Sequence, residues 1–131
     1  MATLDVKSRA PETTEMACLL LDRELIAQIK LIENATGQSG MLSEFVRRLE
    51  GSLAAFGAAL PDYIARGDTA GAVLAAHTLK GICLQLGALE LGDLFADIER
   101  SIQADDYAEA KRAFEGGADL IAQSLEALKH A

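Results

Sequence analysis

The amino-acid sequence predicts an all-α protein, an antiparallel up-down four-helix bundle with an additional N-terminal helix. Three observations carry this. Apolar residues recur three and four apart through most of the chain, the spacing that lines them up on one face of a helix. Half of the 131 residues are hydrophobic, Ala and Leu dominate, and there are two Pro and no Trp, a composition that suits helices. The breaks between periodic stretches are short and rich in Gly and Asp, and short connections make neighbouring helices antiparallel.

Residues 1–17 are polar and aperiodic and contain Pro11; they read as a flexible tail or linker. Asp22 is the expected N-cap of a short helix to about Asn34, with Leu25, Ile29 and Ile32 on its inner side. Thr36-Gly37-Gln38-Ser39-Gly40 reads as a loop. Leu42, Phe45, Val46, Leu49, Leu53, Phe56 and Leu60 then give the clearest helical stripe in the chain. Pro61 falls inside this run, where a proline ring crowds the carbonyl four residues back. The helix is therefore expected to bend there, eased by Gly57, or to restart through Asp62-Tyr63-Ile64.

Gly67-Asp68 reads as turn and cap for a helix from Thr69 to Leu86, stopped by Gly87. Its expected core stripe is Ala75, Leu79, Ile82 and Leu86. The next helix runs from about Ala88 to Gln103, with Leu91, Leu94, Phe95, Ile98 and Ile102 inward. Asp105-Asp106 caps the last helix, to about Lys129, with Phe114, Ile121, Leu125 and Leu128 inward. Gly116-Gly117 in its middle should weaken or bend it, since each Gly costs roughly 1 kcal/mol against Ala.

The formal charge is −8, and no basic stripe is available for a phosphate backbone, which argues against nucleic-acid binding. No segment reaches the ~20 apolar residues of a membrane span, and the N-terminus lacks a charged-then-apolar signal pattern. The expectation is a cytoplasmic domain without membrane contact. Cys18 and Cys83 have no metal-ligand spacing and form no disulfide framework. Cys83 points away from His77 and reads as a small buried hydrophobe. No His, Asp or Glu set has metal spacing, and no Gly-rich phosphate loop or nucleotide motif occurs.

The chemistry-bearing stretch is His77-Thr78-Leu79-Lys80-Gly81. Residues three and four apart share a helix face, so an imidazole, a cation one turn on and a missing side chain line up. That set suits a histidine that receives a phosphoryl group: a nucleophile, an ammonium to balance phosphoryl oxygens, and room for a partner to approach. With the core stripe on the far side, His77 points outward. Ala70, Val73 and Leu84 lie within about 40° of it on an ideal wheel, with Leu74 at the edge. Apolar groups beside a reactive centre suggest a docking patch; the alternative is that neighbouring helices cover them. Gln85 lies well round the helix from His77 and reads as rim or structural, and His130 has no partners in sequence.

Ala76-His77-Thr78-Leu79-Lys80-Gly81, then Leu86-Gly87-Ala88, then Ile98-Glu99 resembles the signature of histidine phosphotransfer (HPt) domains. The resemblance covers roughly residues 40–130 and implies that residues 18–131 form one HPt-like bundle domain. It implies that His77 is phosphorylated and exchanges the phosphoryl with an aspartate on a response-regulator receiver domain. It implies that Glu99 accepts a hydrogen bond from the His77 Nδ1–H and leaves Nε2 as the nucleophile. It also implies receiver domains as partners, with a hybrid sensor kinase as a further candidate. No cofactor is expected on this chain, Mg²⁺ being expected on the receiver. Without an ATP site the chain has no autonomous kinase activity. Two other readings share the residues: the substrate domain of a chemotaxis-type kinase, phosphorylated directly, and a non-catalytic helical interaction module in which His77 stays unmodified.

Overall fold

The computed structural model describes residues 20–131, so the tail read over residues 1–17 lies outside the described residues, as does Cys18. Asp22 caps the first full helix among the described residues: its Oδ1 accepts from the Leu25 N–H at 3.1 Å. This helix, α1 (Arg23–Thr36), ends at Gly37 in the left-handed conformation, φ 72°. It runs two residues past the expected end. Its inner line also differs from the expected Leu25, Ile29 and Ile32. Ile26 and Ile29 are buried, Leu25 is half-buried, and Ile32 is 49% exposed. The reason is Glu33, which continues the Ile26–Ile29 line. Its carboxylate accepts from the Leu42 N–H at 2.7 Å. That contact supplies the cap that Gly40, with no side chain, cannot give the next helix.

Helix α2 (Met41–Arg66) runs through Pro61 without restarting. Leu42, Val46, Leu49, Leu53, Phe56 and Leu60 are buried along it, with Phe45 half-buried. Gly57 has a different part from the one expected of it. A Cβ there would stand 3.1 Å from the Phe114 ring, so the glycine admits that ring against α2. Phe114 completes an aromatic trio with Phe56 and Phe95, at centroid separations of 5.3 Å to Phe56 and 6.2 Å to Phe95. Phe56 and Phe95 meet edge to face at 5.5 Å, the arrangement aromatic quadrupoles favour.

Helix α3 (Thr69–Gln85) is capped by Asp68, whose Oδ1 accepts from the Gly71 N–H at 2.9 Å. Its buried line is Ala72, Ala76, Leu79 and Cys83, continued by Leu86; Ala75 and Ile82, expected in that stripe, are only half-buried. The line is rotated because α3 makes its most extensive contact with one neighbour, α4 (Leu89–Gln103). Leu91, Phe95, Ile98 and Ile102 of α4 are buried, with Leu94 half-buried.

The last helix of the sequence reading is two helices, α5 (Tyr107–Gly116) and α6 (Ala118–Lys129). The chain breaks at Gly117, which is buried; a Cβ there would lie 2.6 Å from Leu94 Cδ2 and 3.1 Å from the Ala113 carbonyl. The bend brings backbone against α4 where a side chain would not fit. Ala110, Ser124 and Leu128 face fully inward; Phe114, Ile121 and Leu125 are half-buried. Helices α2, α3, α4 and the bent α5–α6 form the four sides of the bundle, and α1 packs on α2. This is the all-α bundle with an additional N-terminal helix. No described helix is long and apolar enough to cross a membrane.

The turn between α3 and α4 holds the pair in register. Gly87 has φ 78°. Its N–H reaches the Leu84 carbonyl at 3.1 Å, and the Ala88 N–H reaches that of Cys83 at 2.8 Å, a left-handed glycine stop. The Gly87 carbonyl then accepts from the Asp22 N–H at 2.6 Å, beside the Leu21–Ala88 bridge. A Cβ at Gly87 would stand 3.1 Å from the Asp22 carbonyl. Gly87→Ala should therefore cost about 1–2 kcal/mol for the left-handed backbone alone, read as a lower midpoint in urea unfolding. An unchanged midpoint would contradict this account of the turn.

Candidate functional site

The cap at Asp68 sets the phase of α3, and the Ala72–Ala76–Leu79–Cys83 line faces in, so His77 faces out. Its side chain is 60% exposed. On α4, Ile98 is buried in the core, and Glu99 beside it projects to the seam between the two helices, with only 14% of its side chain exposed. The two meet there: Glu99 Oε2 and Oε1 lie 3.2 and 3.3 Å from His77 Nδ1. An ionised carboxylate only accepts, so the proton belongs on Nδ1 in this contact. No described residue hydrogen-bonds Nε2, on the other side of the ring.

Lys80 joins the same carboxylate. Its Nζ lies 3.3 Å from Glu99 Oε1, with 29% of its side chain exposed. The sequence placed Lys80 one turn from His77 on its phosphoryl side; the structure also turns it toward α4. One half-buried carboxylate thus serves an imidazole and an ammonium, and the cation offsets the cost of drawing Glu99 out of water.

Gly81 sits on the same outer ridge. A Cβ there would meet nothing within 4 Å, so its missing side chain answers to no packing need inside the domain. Leu74 is 65% exposed and Leu84 45%. Ala70 is exposed, whereas Val73 is half-buried against the core. The five residues read as a docking patch therefore divide: Leu74, Leu84, Ala70 and the Gly81 notch lie open beside His77, while Val73 is partly spent on the bundle. Gln85 is exposed. His130 pairs with Glu126 at 2.7 Å one turn back. Among the described residues no group of His, Cys, Asp and Glu is arranged to hold a metal ion.

A model of the Hpt domain family matches residues 40–131. The chain belongs to the Hpt domain family. A search of curated proteins and a search of solved structures each give no match. The matched span of the Hpt domain takes in α2 to α6, and so both helices that carry the His77–Glu99–Lys80 cluster. Hpt domains carry out histidine phosphotransfer in phosphorelays and interact with receiver domains.

Two contacts between α3 and α4 are not legible in the sequence. The sharing of Glu99 by Lys80 was foreshadowed by the helical wheel, which turns Lys80 about 60° from His77, but a wheel does not say which neighbour lies there. Gly92 carries no signal in the sequence; in the structure it lies under Leu84.

Cys83, on the same helix, is fully buried on the opposite side, and burial pushes its thiol from 9.0 up to about 12. A thiol raised in the folded state adds stability below the unfolded value near 9, and that contribution is lost as pH rises towards 12. In a Cys18→Ser variant, Cys83 should therefore resist a thiol reagent at pH 8 until urea unfolds the domain. Stoichiometric labelling within minutes in the absence of urea would contradict its burial.

Proposed function

We propose that this domain is a phosphorelay intermediate: His77 accepts a phosphoryl group from a receiver aspartyl phosphate and passes it to another receiver aspartate. The observation that carries the reading is the Glu99 contact on Nδ1 of a ring otherwise open to solvent. A neutral imidazole protonated on Nδ1 presents its lone pair on Nε2. In the reaction Nε2 attacks phosphorus in line, the bond from phosphorus to the aspartyl oxygen breaks, and that oxygen leaves as carboxylate. Nδ1 keeps its proton, and the imidazolium so formed is stabilised by Glu99.

Lys80 balances the charge on the phosphoryl oxygens. Reaching them means loosening its hold on Glu99, whose charge the new imidazolium then balances. Few groups are needed because the transition state is loose and positioning does most of the work. In this reading Mg²⁺ belongs to the receiver, and the domain acts in the cytoplasm. Leu74, Leu84, Ala70, Gly81 and the exposed part of Val73 form the surface that the receiver covers.

His77→Gln should abolish phosphoryl acceptance and leave the unfolding midpoint near that of the wild type, because the residue faces outward. Labelling is measured with two donors, a phosphorylated receiver and a kinase with ATP. Transfer from the receiver supports the relay. Transfer only from the kinase supports the direct-substrate reading, and persistent labelling of His77→Gln removes both.

Glu99→Ala should slow transfer without preventing it. Loss of a hydrogen bond to a charged group costs about 1.5–3 kcal/mol, roughly a ten- to hundred-fold fall in rate. Glu99→Gln keeps an acceptor oxygen and should fall between the two in rapid-quench measurements. Equal rates for all three would leave Glu99 without a part in the transfer.

A further inference from the structure

We propose that Gly92 of α4 is a specificity-determining residue for receiver docking: its missing side chain lets Leu84 lie across the α3–α4 seam as part of the surface the receiver covers. The inference rests on the functional reading above and extends it to a residue that does not touch His77.

Leu84 stands on the outer ridge of α3 with His77 and Gly81. An ideal helix places it within about 20° of His77 and about 10 Å along the axis. A partner seated on His77 and in the Gly81 notch therefore continues over Leu84. That continuity, with the receiver class shown for the family, names the occupant.

Leu84 is 45% exposed, yet it does not stand free. A Cβ on Gly92 would lie 2.9 Å from Leu84 Cδ2 and 3.3 Å from its Cγ, with Cys83 Cβ at an ordinary 3.7 Å. The methyls of Leu84 thus rest where a side chain at position 92 would be. Any side chain there meets Leu84 first, and Leu84, open on its solvent side, yields by turning outward. Glycine inside a helix is disfavoured against alanine, so the free domain gains no helix stability from it. What the glycine provides is a low leucine beside a reactive histidine, on a surface that must be approached to bonding distance.

The test uses Gly92→Ala with two phosphodonors. One is the receiver domain, taken from a panel, that exchanges phosphoryl fastest with the wild-type chain. The other is phosphoramidate, small enough to need no docking. Gly92→Ala should melt at or above the wild-type temperature and take phosphoryl from phosphoramidate at the wild-type rate. Its KM for the phosphorylated receiver should rise roughly five-fold with kcat little changed. In a Leu84→Ala background the same substitution should add nothing, because no branched side chain remains to be displaced. An unchanged KM, or an equal rise in the Leu84→Ala background, would overturn the inference. A lowered melting temperature would overturn it too, since the methyl would then have parted α3 from α4 instead of moving Leu84. No exchange between the wild-type chain and any receiver would overturn the functional reading itself, a separate result.

Discussion

The carboxylate of Glu99 is the point on which the site depends. It is mostly withdrawn from water, and it meets two groups from the neighbouring helix, Nδ1 of His77 at 3.2 Å and Nζ of Lys80 at 3.3 Å. Each contact explains the other. A carboxylate in that seam needs a cation, and Lys80 supplies it; a histidine held on one nitrogen needs an acceptor, and Glu99 supplies that. The acidic balance of the chain as a whole plays no part in this arrangement, which is local and set by two facing helix turns.

For those turns to face each other, α3 and α4 must keep one register. The left-handed Gly87 fixes the reversal, and the Asp22 N–H bound to its carbonyl ties the start of α1 to the same turn. Small residues on the buried line of α3, Ala72, Ala76 and Cys83, let α4 come close. Behind Ile98 and Glu99, the trio of Phe56, Phe95 and Phe114 joins α2, α4 and α5 at the centre. Gly57 of α2, Gly92 of α4 and Gly117 at the α5–α6 break serve packing, each admitting a neighbour's side chain. Gly81 alone among the glycines on the His77 ridge opens onto empty space.

Much of this was legible in the sequence because helical period and cap chemistry are local. Asp22, Asp68 and Asp106 cap as expected, each accepting from a backbone N–H three residues on. The outward direction of His77 followed from the stripe opposite it. What misled the wheel was non-local. Ile32 lost the inner line of α1 to Glu33 because the start of α2 needed an acceptor. Ala75 and Ile82 gave way to Ala72, Ala76 and Cys83 because α3 leans toward α4. The break at Gly117 depends on where Leu94 of another helix lies, and Gly92 matters only through Leu84. None of these neighbours can be seen from one helix at a time.

The most direct test of the central claim is which nitrogen of His77 carries phosphorus. The domain is labelled with nitrogen-15 in its histidines, phosphorylated with phosphoramidate, and read by nitrogen and phosphorus NMR before and after. The account predicts Nδ1–H in the free domain and a nitrogen–phosphorus bond at Nε2 afterwards, with Nδ1 still protonated. Phosphorus on Nδ1, or on a residue other than His77, would contradict it.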